Sequence, residues 1–139
     1  MSEYLRPNIS HDLRRVSVLG LAHVGDAVYD LMIRTWLCIS GISTAKGLHG
    51  GAVSFVSAKA QSAAFVRIRP HLTEQEFDIY KRGRNTQVSS VPRSSSHNEY
   101  HTATGLETLF GYLYLGGQTE RLEELFEFVI ADEEKEDDE

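Results

Sequence analysis

The chain has one cysteine, one tryptophan and three prolines in 139 residues, and each scarcity excludes something. Cys38 alone cannot close an internal disulfide, so the fold must rest on packing; a buried thiol in a reducing cytoplasm is its expected state. No apolar run approaches the roughly 20 residues a membrane span needs, and no signal-peptide pattern opens the sequence. No segment alternates apolar and polar residues as a half-buried strand would. Zinc chemistry lacks ligands: His97 and His101 stand at i, i+4 without a convincing third donor, and His11-Asp12 lacks the further histidines of a metal phosphohydrolase.

Positive charge is also short, since the formal net charge is -6. The deficit is local. Residues 132–139 (DEEKEDDE) hold seven acids and one lysine, so the remaining 131 residues balance at 13 acidic and 13 basic side chains. That tail reads as a solvated, disordered end. Acids are absent from Ile79 to Asn98, where Lys81, Arg82, Arg84 and Arg93 fall, giving a positive field suited to phosphate.

What the sequence does have is helical periodicity. Residues 1–12 read as an irregular arm, and 13–131 as one all-α domain. Val16, Leu19, Val24, Val28, Leu31, Met32, Thr35, Trp36 and Ile39 recur at three- and four-residue spacings, predicting a helix over 13–39 stopped at Gly41. Ser43 or Thr44 caps a second helix, and a third spans Val56 to Ile68 before Pro70. Thr73 and Glu76 form a capping box for a fourth, ending near Arg82. A loop over 83–97 precedes a helix from Asn98 to Leu115, stopped by Gly116-Gly117, and Thr119 opens the last.

Two acids stand alone among apolar neighbours in these helices. Asp26 lies in Leu21-Ala-His-Val-Gly-Asp-Ala-Val-Tyr-Asp30, and Glu107 in Ala103-Thr-Gly-Leu-Glu-Thr-Leu-Phe-Gly-Tyr-Leu-Tyr-Leu115. A carboxylate in an apolar helix is costly unless hydrogen-bonded, paired or bound to a cation. One solution is a shared hard cation such as magnesium, which takes oxygen ligands and keeps several waters. The other is hydrogen bonding to hydroxyls such as Thr104 or Tyr29. Gly25, and Gly111 one turn beyond Glu107, leave room for a close backbone or substrate.

These segments resemble the ribonuclease III family. Gly25-Asp26-Ala27-Val28 is similar to its signature, and Leu106 to Leu115 to its second catalytic helix. Val56-Ser-Ala-Lys-Ala-Gln61, Lys81-Arg-Gly-Arg-Asn85 and the run at 112–117 bring the likeness closer to the short Mini-ribonuclease III subfamily, which lacks a double-stranded-RNA-binding domain. The resemblance covers about residues 15–130. It implies a dimeric, helical endonuclease domain that cuts double-stranded RNA to 5′-phosphate and 3′-hydroxyl ends. Asp26 and Glu107 would be its catalytic, metal-binding acids, with Mg2+ as cofactor and Mn2+ as substitute. Ribosomal RNA precursor of the large subunit is the implied substrate, in the cytoplasm and away from membranes. The chain departs from the longer enzymes at Ala22 and Thr104, where they carry two further acids.

A-form duplexes are read mostly through phosphates and 2′-hydroxyls, for which basic and small polar side chains suffice. Charge and resemblance together nominate Lys81, Arg82, Arg84 and Asn85, then Lys59 and Gln61 on the third helix and Lys46 and His49 on the second. Two rival readings stand. The missing acids suggest a non-catalytic RNA-binding module, and a nucleotide phosphohydrolase is the weaker rival.

Overall fold

In the computed structural model, residues 4–86 and 96–137 are described, with side chains to residue 131. Short 3₁₀ turns at Ser10–Arg15 and Arg69–His71 accompany six helices: α1 (Val18–Ile39), α2 (Ala45–Val56), α3 (Ala58–Ile68), α4 (Glu74–Arg84), α5 (His97–Leu115) and α6 (Thr119–Asp137). No strand occurs among the described residues, so the all-α reading holds.

The helix starts are set by hydroxyl caps, each accepting a backbone N–H three residues on. Ser17 caps α1 from Gly20 N, Thr44 caps α2 from Gly47 N, and Ser57 caps α3 from Ala60 N, at 2.9, 3.0 and 3.2 Å. Ser17 also corrects the expected first helix, because its extended backbone separates Leu13 from α1. The Thr73–Glu76 box opens α4 as expected, and a second box, Ser96–Glu99, opens α5. Ser57 divides the second and third helices, which ends α2 at Val56 instead of starting α3 there. Residues 87–95, including Arg93, lie outside the described residues. The backbone of α6 continues to Asp137, into the run expected to be disordered.

α5 is the central element. Leu106, Leu109, Phe110 and Leu113 are fully buried, and α1, α3, α4 and α6 all pack on it. From α1 the core receives Leu21, Val28, Tyr29, Ile33 and Leu37, spaced as one face of a helix. Cys38 falls on the opposite side and is exposed, contrary to expectation.

Two glycines bring α1 and α5 into backbone contact. A Cβ on Gly25 would overlap the carbonyl of Glu107 and lie 2.8 Å from Gly111 N. A Cβ on Gly111 would overlap the carbonyl of Leu21 and lie 3.1 Å from Gly25 N. Only residues without a Cβ allow the helices this close.

A buried ion pair ties α4 to α6. The Arg121 guanidinium donates through Nε and Nη2 to the two oxygens of Glu76, each at 2.8 Å, and through Nη2 to His71 O at 2.7 Å. Glu76 also accepts from Thr73 N at 2.9 Å, so one carboxylate serves helix cap and tertiary contact together. Hydrogen bonds from Arg121 hold its pKa below the ordinary carboxyl value.

The pair should dominate the acid limb of stability. A lowered folded-state pKa gives stabilisation that is present above the unfolded value of 4.5 and lost as pH falls through the folded one. Glu76→Ala should cost about 2–3 kcal/mol by urea unfolding at neutral pH, less than the roughly 3–5 kcal/mol for breaking a fully buried pair. Arg121 remains 24% exposed and can rehydrate. Gly111→Ala should cost about 3 kcal/mol, because backbone must shift to admit the methyl; an unchanged midpoint would contradict the tight α1–α5 contact.

Candidate active site: an acid pair between two helices

The close approach at Gly25 and Gly111 sets Asp26 beside Glu107. Asp26 is exposed at the edge of the contact, whereas Glu107 is half-buried on α5. The sequence reading had put both acids in the core; Asp26 instead follows buried Gly25 and turns off the face that Leu21, Val28 and Tyr29 present inward. Burial, and then the negative charge of Asp26, push the Glu107 carboxyl up to about 8. A hydrogen bond from Gln61 opposes the shift, and a side-chain contact with Asp26 adds to it. No ion pair joins either acid to a basic side chain among the described residues.

Hydroxyl partners do not resolve this pair. Thr104 Oγ1 donates to its own helix at Tyr100 O, 3.0 Å away, and the buried Tyr29 hydroxyl has no hydrogen-bond partner among the described residues. The positions where the longer pattern has acids are closed as well, since Ala22 and Thr104 are both buried.

Gln61 is the residue the sequence placed wrongly. Expected among the RNA contacts, it is only 3% exposed, so it has no surface to offer a duplex. It shares the inward face of α3 with Ala64, Phe65 and Ile68. That i, i+3, i+4, i+7 stripe was the signal for burial. Its Nε2 donates to Glu107 Oε2 at 3.3 Å and to Val56 O at 3.0 Å, while its Oε1 is buried without a partner among the described residues.

The remaining expected RNA contacts are accessible. Lys81 lies 3.4 Å from Asp78 and over the Phe77 ring; Arg84 lies over Tyr80 and donates to Asn85 Oδ1 at 3.3 Å. Arg82 and Asn85 are exposed at the same end of α4, as are Lys59 on α3 and Lys46 and His49 on α2. The structure thus gathers Asp26, Glu107 and Gln61 in one cluster, and Lys81, Arg82, Arg84 and Asn85 in another.

A divalent cation fits the first cluster. Two facing carboxylates with no basic partner among the described residues form an oxygen-donor set of the kind magnesium takes, and burial and the charge of Asp26 push one of them up to about 8. The set is sparse: no group of three or more His, Cys, Asp or Glu side chains placed to hold a metal ion occurs among the described residues.

The raised pKa has a measurable sign. Folded Glu107 binds its proton more tightly than the unfolded chain, at about 8 against 4.5. In metal-free protein its contribution is therefore full below 4.5 and is lost as pH rises toward 8. Melting temperatures of Glu107→Gln and the unaltered chain should diverge in the variant's favour across that window. Parallel curves would show that burial does not perturb the group.

Comparison with protein families matches residues 19–118 to the Ribonuclease III domain. The chain is 42% identical over 120 residues to Mini-ribonuclease 3 of Clostridium tetani, covering 86% of this chain and 80% of that protein. It is 41% identical over 121 residues to Mini-ribonuclease 3 of Enterococcus faecalis, covering 86% and 92%. A crystal structure of a protein from Fusobacterium nucleatum superposes with a TM-score of 0.80 at 33% identity, covering 90% of this chain and 96% of that one.

Proposed function

The chain belongs to the ribonuclease III family, alongside the Mini-ribonuclease 3 proteins, and on that premise we propose that it cleaves double-stranded RNA through Asp26 and Glu107. The observation that carries the reading is the Asp26–Glu107 pair, held by a glycine contact and without a basic partner among the described residues.

Asp26 and Glu107 would together hold Mg2+, with Mn2+ able to replace it. When bound, such an ion neutralises charge on the phosphate under attack. Asp26 is exposed and so open to an arriving duplex, whereas Glu107 beside it is half-buried on α5. Hydrolysis breaks the bond from phosphorus to the 3′ oxygen, which takes a proton, and water supplies the new oxygen on the 5′-phosphate. Lys81, Arg82, Arg84 and Asn85, with Lys59, Lys46 and His49, would hold backbone phosphates.

A second copy of the chain is part of the proposal. α1 shows an apolar groove of about 540 Å³ lined by Val24, Ala27, Val28, Leu31, Met32 and Leu122 among others, and Leu31 is 63% exposed. Exposed apolar surface of this kind marks an interface, and a homodimer would offer one acid pair to each strand. Precursor of large-subunit ribosomal RNA is the proposed natural substrate. No helix is long and apolar enough to cross a membrane among the described residues; the proposed site of action, as for ribosomal RNA precursor, is the cytoplasm.

Asp26→Asn should abolish cleavage of a long RNA duplex in magnesium while leaving duplex binding and dimer mass unchanged, and chelation should stop the unaltered enzyme. Cutting at an unaltered rate by the variant would remove Asp26 from the chemistry. Binding without fragments by the unaltered chain, across metals and salts, would favour a non-catalytic RNA-binding module instead.

A further inference from the structure

Gln61 is a neutral, buried side chain on an apolar face, and nothing in the proposed chemistry requires an amide there. Its surroundings explain it. Nε2 carries two hydrogens, and both are used: one goes to Val56 O, the last residue of α2, and the other to Glu107 Oε2. The first bond anchors the amide to backbone at the α2–α3 junction, and the second ties the anchored amide to the acid. At 3% exposure Gln61 is shielded from competing water. One Glu107 oxygen is therefore committed to the protein, which turns the carboxylate and leaves the other for a cation. We propose that Gln61 is a positioning residue that orients Glu107 for a divalent ion, and so sets the affinity of the acid pair for that ion.

The residue type agrees with this role. Lysine or arginine in its place would satisfy Glu107 by charge and compete with the ion. Leucine or methionine would fill the space without a donor, and leave both Val56 O and the carboxylate without this hydrogen bond. An amide gives a donor that orients the acid without neutralising it, and its second hydrogen anchors it to Val56 O. Outer partners of metal ligands act in this way, and their loss typically weakens metal binding about 10- to 100-fold.

The inference rests on the acid pair being the metal site, and the test separates the two. Mn2+ binding to the full chain without RNA is measured by electron paramagnetic resonance for the unaltered protein, Gln61→Met and Asp26→Asn. Gln61→Met should weaken Mn2+ binding by about tenfold or more. It should also shift half-maximal cleavage to higher Mg2+ and leave the KM for duplex unchanged. If the unaltered chain and Asp26→Asn bind Mn2+ alike, the acid pair is not the metal site and both readings fall. If only Asp26→Asn loses the metal while Gln61→Met binds normally, the inference alone is overturned. A raised KM with unchanged metal binding would overturn it too, in favour of an RNA contact. Should Gln61→Met not fold, the unaltered chain gives the answer by nuclear magnetic resonance. The Gln61 side-chain amide signals should move as Mg2+ is added, saturating with the binding curve, and signals that stay still would overturn the proposal.

Discussion

The backbone contact between α1 and α5 is the constraint from which the site follows. Gly25 and Gly111 each face the other helix's main chain, so the absence of a Cβ is required on both sides. A packing event becomes an electrostatic one, because the helices cannot sit this close without bringing the acid after Gly25 to the acid one turn before Gly111. The apolar face of α1 and the fully buried Leu106, Leu109, Phe110 and Leu113 of α5 supply the favourable burial that holds like charges together.

The chain contains its own control for this reading. Glu76 and Glu107 are both removed from bulk water on helices of one core, yet their pKa values move in opposite directions. Glu76 receives two bonds from a guanidinium and a backbone cap, which more than offset its burial. Glu107 receives one neutral amide and faces another acid. The fold can therefore provide a full set of partners for a buried carboxylate, and at Glu107 it does not. A perturbed acid beside an exposed one is the pattern of a functional site more than of a structural one.

How much of this was legible in the sequence depended on whether the signal was local. The Thr73–Glu76 box and Thr44 announced their helices because a cap and its N–H lie three residues apart, and Ser96–Glu99 carried the same signature across the end of a stretch read as loop. Ser17 was overrun because Leu13 and Val16 continue the apolar spacing across the break. Asp26 and Glu107 were found as acids out of place, but the partition between them was not. Which side of α1 meets α5 is decided by both helices together, so the exposure of Asp26 could not be read from α1 alone. Gln61 shows the opposite failure: its inward stripe was present locally, and the nearby Lys59 drew it into a surface reading.

The sparseness of the acid cluster then acquires a physical sense. Each further carboxylate at positions 22 and 104 would add repulsion to a metal-free fold in which Glu107 is already pushed up to about 8. Here those positions are filled instead by a buried methyl and by a hydroxyl bonded to its own helix. Fewer charges make the metal-free fold less strained, and under the proposed role they would leave cation affinity more dependent on how well the remaining two are aimed. In such a site orientation replaces charge, which is what a buried amide with both hydrogens engaged provides.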